Sequence, residues 1–225
     1  MVNFVDRADD RVAIRRVLLS VSDKTGLDDL VPGLLDIAPE IVLYSTGGTH
    51  RRISEILGSR AAAHLVQVSD YTGQAETQGG LVKTLDFRIY LGLLTETYND
   101  DHQADLARTD AVPLDMVVVN LYPFAATVAQ EGVTLERARA NIDIGGPCML
   151  RAAAKNYLRV VPVVDPGDYP ALLAALRAGN GSLGMATRFA YARKAFAHTA
   201  AYDAAISAYL ATQDATRVPD AYSLR

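Results

Sequence analysis

Cysteine, paired histidines, basic tracts and long apolar runs are all scarce in this 225-residue chain, and each scarcity removes a class of function. The single cysteine, Cys148, rules out an internal disulfide framework and fits a reducing compartment. The four histidines, His50, His64, His102 and His198, lack metal-ligand spacing, so no bound metal is expected. The net charge is −4 and no segment gathers Lys and Arg, which argues against nucleic acid or an anionic membrane as partner while leaving room for a small anion in a local pocket. No apolar run approaches the ~18 residues of a spanning helix. The opening MVNFVDRADDRVAIRR mixes charges and lacks the apolar core of a secretory signal, so a cytoplasmic location is expected.

What remains is an ordinary globular composition, half hydrophobic and 21% charged, on a chain long enough to bury a substantial α/β core. Short β-branched runs alternate with stretches of helical spacing, the pattern of a mainly parallel sheet covered by helices in three layers. Strands are predicted at 15–22, 40–45, 64–69, 88–94, 115–122 and 159–164. Helices are predicted at 26–37, 49–57, 101–109, 134–141, 147–157, 168–178 and 185–211, the last docking through Phe189, Phe196 and Ile206. The chain divides into an N-terminal extension (1–13), one domain (14–212) and a loosely held tail (213–225), with RAGNGSLG (177–184) as a hinge before the last helix.

Five of the apolar runs end in polar residues: Ser20 and Ser22, Ser45, Ser69 with Asp70, Asn120, and Asp165. In an open parallel sheet these ends share one edge, where ligands bind. SVSDKTG (20–26) sets hydroxyls and Lys24 at the start of a helix, either as a phosphate cradle or as a simple cap with a solvated lysine. STGGTH (45–50) repeats the arrangement, Gly47 and Gly48 permitting close backbone approach beside Ser45, Thr46 and Thr49. The spacing is that of neither a P-loop nor a dinucleotide fingerprint, so a monophosphate competes with a pair of structural turns. In NIDIGGPCMLRAAAKN (141–156), Asp143 precedes a helix on which Arg151 and Lys155 lie one turn apart, either as an exposed basic stripe or with the lysine directed into a pocket. Asn120 and Tyr122 stand at a strand end, and Lys83 with Thr84 follows a glycine pair.

Together SVSDKTG, STGGT, VSDYTG, VKTL, VVVNLYPF, NIDIGGPCMLRAAAKN, VVDPGDY and RKAFAHTAAYD resemble the inosine monophosphate (IMP) cyclohydrolase domain of the bifunctional AICAR transformylase/IMP cyclohydrolase family, in order from about residue 14 to about 210. The resemblance implies a methylglyoxal-synthase-like fold. It also implies closure of formamido-imidazole-carboxamide ribotide (FAICAR) to IMP with loss of water, the last step of purine synthesis, without a cofactor. By the same resemblance Ser20, Ser22, Lys24, Ser45, Gly47, Gly48 and Thr49 would hold the ribotide phosphate. Lys83 and Thr84 would meet the formyl group, Asp143 would orient or deprotonate the carboxamide and Lys155 would polarise it. Asn120, Tyr122 and Gly145 would complete the wall around the substrate. A homodimer is implied, as is a functional link to a separate AICAR transformylase, because the chain stops where that domain would begin.

The family pattern GRVKTLHPKIHGG appears here as GLVKTLDFRIYLG, with Leu81 in place of an arginine and Asp86, Phe87, Tyr90 and Leu91 also altered. Leucine cannot supply a guanidinium's planar donors, and Arg88 or another nearby cation is expected to compensate. The alternative reading is a domain of the same fold that binds a purine ribotide without catalysis.

Overall fold

After a three-residue strand β1 (Arg11–Ala13), the chain lays down β2 (Arg16–Val21), β3 (Val42–Ser45), β4 (Leu65–Gln67), β5 (Met116–Asn120) and β6 (Val161–Val163), then a last short strand β7 (Ser182–Gly184). This computed structural model describes residues 4–74 and 83–224. Strands β2 to β6 form one wholly parallel sheet in the order β4-β3-β2-β5-β6, while β1 and β7 pair antiparallel beside it. The chain leaves β2 toward one side and returns to its other side at β5, which creates a switch point between those two carboxyl ends.

Strand alternation builds two cores. Val17, Leu19, Val21, Met116 and Val118 face one side, and Leu18, Val117 and Val119 the other. Both sets are almost fully buried, and each such side chain contributes roughly 1.5–3 kcal/mol. The first layer contains α1 (Leu27–Ile37) and α2 (Gly47–Leu57); the short α3 (Ala61–His64) leads into β4, and α4 (Val68–Thr72) follows it. Then come α5 (Phe87–Leu94), α6 (Asp100–Arg108), α7 (Phe124–Val128), α8 (Leu135–Ala140) and α9 (Gly145–Lys155). Helix α10 (Tyr169–Ala178) joins the first layer, whereas α9 and the long α11 (Met185–Ala211) stack on the second.

One predicted strand is a helix. Residues 88–94 belong to α5, because Asp86 caps the segment by accepting the Arg88 N–H at 2.8 Å, and Ile89, Gly92 and Leu93 are buried at helical rather than alternate spacing. Gly92 has no room for a side chain against the Val112 carbonyl, so this glycine permits the close packing. Predicted strand 64–69 is likewise shortened to three residues, its end turning into α4.

Helix α11 also departs from expectation. It buries Ala192, Ala195, Thr199 and Arg188, while Phe189 and Phe196 remain 45% and 39% exposed. Alanines on α9 and α11 let the two backbones approach where phenylalanines would hold them apart. Arg188 is fully buried and donates to the carbonyls of Asp9, Asp10, Tyr157, Leu158 and Leu183, using its whole guanidinium. Residues 9–13 are thereby fastened to the domain. The proposed hinge is a pinned corner instead, with β7 paired to β1 and the Arg11 guanidinium bonded to the Gly179 and Ser182 carbonyls. In the tail, the Tyr222 hydroxyl donates to Glu136 at 3.0 Å.

Candidate active site

A cleft of about 680 Å³ opens at the carboxyl edge of the sheet, astride the switch between β2 and β5. That volume suits a ligand of mononucleotide size. It is lined by Ser20, Ser22, Lys24, Gly48, Thr49, Lys83, Thr84, Asn120, Tyr122, Asp143 and Gly145, all of them expected from the sequence.

The floor is a loop held from beneath. Asn120, ending β5, accepts the Ser22 and Asp23 N–H groups at 2.6 and 2.8 Å and donates to the Asp23 carbonyl at 2.8 Å. These bonds shape the loop and use one of the two N–H donors of the amide. Thr49 does the same for the end of β2, its hydroxyl accepting the Val21 N–H at 3.1 Å and donating to the Val21 carbonyl at 3.0 Å. Ser45, fully buried, donates to the Leu19 carbonyl at 2.8 Å and does not line the cleft. Ser45 and Thr49, expected at the phosphate, therefore act on the backbone around it, as does Asn120, expected in the wall.

The cationic part comes from Lys24 and Lys83. Lys24 donates to the Val21 and Ser22 carbonyls at 3.0 and 3.2 Å, which leaves one of its three protons for a ligand. Lys83 reaches the start of α2, its Nζ only 2.9 Å from where a side chain on Gly47 would begin, and Gly47 holds a positive φ of 49°. Gly47 is therefore favoured by its conformation, and it leaves the space that the lysine occupies. Lys24 lies in ordinary contact with the side-chain position of Gly48. Two ammonium groups thus converge on a glycine-opened helix N-terminus, an arrangement suited to phosphate.

The opposite wall is the start of α9. Asp143 accepts the Gly146 N–H at 2.8 Å through one carboxylate oxygen, and the nearby backbone N–H of Tyr122 also favours its charged form. Burial raises its pKa above the ordinary aspartate value, and these two N–H groups only partly offset the rise. Such a carboxylate is a better base than an exposed one. Gly145 and Gly146 keep this approach open, the Thr84 hydroxyl lying 2.9 Å from where a Gly145 side chain would start. Tyr122 stands at the mouth, 49% exposed.

Two expectations fail. Lys155 does not line this cleft; it sits in the last turn of α9, beside a separate apolar groove with Tyr157, Phe189 and Phe196. A rise of ~1.5 Å per residue carries it about 15 Å from the helix start that faces the cleft. Its neighbour Arg151 lies over the Phe196 ring at 5.5 Å, so the pair forms an exposed basic stripe. Arg88 does not line this cleft either, its guanidinium donating to the Tyr71 carbonyl at 2.8 Å. Leu81 lies outside the described residues. Arg139, unremarked in the sequence, does line the cleft, and its guanidinium pairs with Glu136. Leu85, Ile142, Ile144 and Met149 add apolar surface. Among the described residues no cluster of potential metal ligands occurs, and no helix is long and apolar enough to cross a membrane.

The MGS-like domain family matches residues 27–148, and the AICARFT/IMPCHase bienzyme family matches residues 153–225. The bifunctional purine biosynthesis protein PurH of Magnetococcus marinus is 48% identical over 209 residues, 93% of this chain and 38% of that protein. Its counterpart in Sorangium cellulosum is 50% identical over 199 residues, 88% of this chain and 36% of that protein. The crystal structure of ForH aligns with a TM-score of 0.71 at 32% identity, covering 87% of this chain and 98% of that one. The expected methylglyoxal-synthase-like fold is borne out. The chain spans little more than a third of the length of the curated relatives it matches.

Proposed function

The chain belongs to the MGS-like domain family and matches the AICARFT/IMPCHase bienzyme through its last third, and from that premise we propose that it closes the purine ring of FAICAR to give IMP. The observation that carries this reading is the joining of a two-lysine phosphate cradle to a buried carboxylate in one cleft. A role in purine biosynthesis accords with the relatives' names.

The chemistry has two stages. The carboxamide nitrogen, its lone pair delocalised, must attack the formyl carbon; Asp143 accepts the proton it sheds while Lys83 donates toward the formyl oxygen, forming a cyclic carbinolamine. Loss of the new hydroxyl as water, with departure of the proton on the former formamido nitrogen, then creates the C=N bond of the purine. Proton transfer and charge stabilisation account for both stages, and each is worth several powers of ten when the groups are pre-positioned. Tyr122 at the mouth is suited to the second proton transfer. Lys24 with the start of α2 at Gly47 and Gly48 holds the phosphate, Thr84 and Gly145 border the formyl end, and Lys155 has no part in this scheme. The formylated substrate must come from a formyl transfer to the parent aminoimidazole ribotide, and a homodimer is expected on the same kinship.

The test is to mix the purified chain with FAICAR and follow the absorbance change of ring closure against a blank without protein. Turnover that Lys83→Met abolishes supports the reading. Ribotide binding with no turnover replaces it with the non-catalytic binding domain.

A further inference from the structure

The wall that bears Asp143 is held from behind by the C-terminal helix. Tyr202, on α11, is separated from Asp143 by 59 positions in sequence, yet its hydroxyl accepts the Asp143 N–H at 2.8 Å and donates toward the Asn141 carbonyl at 3.2 Å. One oxygen thus fixes the backbone on both sides of Ile142, immediately before the first turn of α9. The Asp143 carboxylate is then anchored forward by the Gly146 N–H. With its backbone tied to α11 and its side chain tied to α9, the residue has little freedom left.

The ring that delivers this hydroxyl is itself braced. Tyr202 and Tyr209, two turns apart on α11, both meet Phe124 edge-on, at 6.3 and 5.9 Å between centroids. Phe124 is 1% exposed, and α7, which it opens, follows Tyr122 by one residue. The brace therefore connects α11 to the segment that also carries the tyrosine at the cleft mouth. Tyr209 shares the ring contact but makes no hydrogen bond to the Asn141–Asp143 turn, so the hydroxyl role falls to Tyr202 alone.

We propose that Tyr202 is a positioning residue for Asp143, its hydroxyl setting the carboxylate's angle toward the ring-closing nitrogen. The inference rests on the cyclohydrolase reading for its kinetic consequence, but its geometric core does not. In the ligand-free protein, Tyr202→Phe should lose amide-exchange protection locally over residues 141–146, at least tenfold at the Asp143 amide, with protection elsewhere unchanged. With FAICAR, the same variant should lose about tenfold or more in kcat with KM within about twofold, because the phosphate contacts lie in the loop after β2 and at the start of α2. Tyr209→Phe, which keeps the ring, should match the wild type in both measurements.

Unchanged exchange at Asp143 in Tyr202→Phe overturns the proposal whatever the enzyme does. So does a loss of protection spread evenly over the domain, which would make Tyr202 a general packing residue. If exchange changes as expected but the wild type does not turn over FAICAR, the cyclohydrolase reading has failed and the positioning contact stands. Turnover by the wild type with an undiminished kcat in Tyr202→Phe refutes the kinetic role specifically.

Discussion

At the amino edge of the sheet, Arg159 and Arg188 are buried and spend their N–H groups on the protein itself; at the carboxyl edge, Lys24 keeps a donor in hand and Lys83 is aimed across a glycine at a helix start. Arg188 makes five hydrogen bonds to carbonyls, and Arg159 makes four, to Gly92, Thr95, Leu114 and the Asp115 carboxylate. Asp115 in turn accepts the Arg15 and Arg16 N–H groups at 3.0 and 2.9 Å, so that network closes on itself. The carboxyl edge remains open to a ligand. Saturation, complete for Arg188 and one N–H group short for Arg159, is what most sets the scaffold apart from the site. A buried cation whose donors are all matched fixes chain segments together, whereas one left with spare valence beside a cleft is ready for an anion.

The largest effect is expected at the closed edge. Arg188→Met should lower unfolding stability by roughly 3–5 kcal/mol, because five carbonyls, most of them partly buried, lose their shared donor at a fully buried position, and urea denaturation measures it directly. A loss below about 1 kcal/mol would show that saturation is not what holds this edge. At the open edge the order reverses. Lys83→Met should cut kcat by about 10²–10³-fold, with unfolding stability changed by less than about 0.5 kcal/mol. Loss of stability in place of rate would erase the distinction between the edges.

Asp143→Asn sharpens the contrast through pH. Burial raises the folded pKa of Asp143, so the folded state holds the proton after the unfolded chain has released it. Its contribution to stability is full below the unfolded value near 3.8 and is lost as pH rises through the raised folded pKa. Asparagine can still accept the Gly146 N–H without that loss. The variant should be somewhat more stable than wild type at pH 7 and no more stable below pH ~3.8, while turnover disappears. Paired thermal melts at the two pH values decide it. The smallest effect is expected from Lys155→Met, less than about twofold in kcat/KM, since its groove is separate from the cleft. A hundredfold loss would restore Lys155 to the mechanism.

Much of the sheet and the cleft floor could be read from the sequence, because apolar β-branched runs that end in Ser or Asn mark the strands and their carboxyl ends at once. Segment 88–94 reads as a strand because RIYLGLL is apolar at both periods; the Asp86 cap and the buried Gly92 decide for a helix only in three dimensions. The place of Lys155 is hidden for a related reason. Spacing puts it on one face with Arg151, but says nothing of how far along the helix the cleft lies. For Ser45 and Thr49 the sequence points to the right neighbourhood but not to the partner, since a hydroxyl near a phosphate loop can as readily bond the loop as its ligand. Tyr202 was beyond reach, its bond to Asp143 being set entirely by the packing of α11 on Phe124.

The most direct test of the open edge is a titration of the isotopically labelled chain with IMP, followed by amide NMR. Shifts concentrated at Ser22, Lys24, Gly48, Asn120 and Gly145, with Arg15, Arg16 and Arg159 unmoved, are the predicted result. Shifts centred on those arginines, or none at millimolar nucleotide, would contradict it.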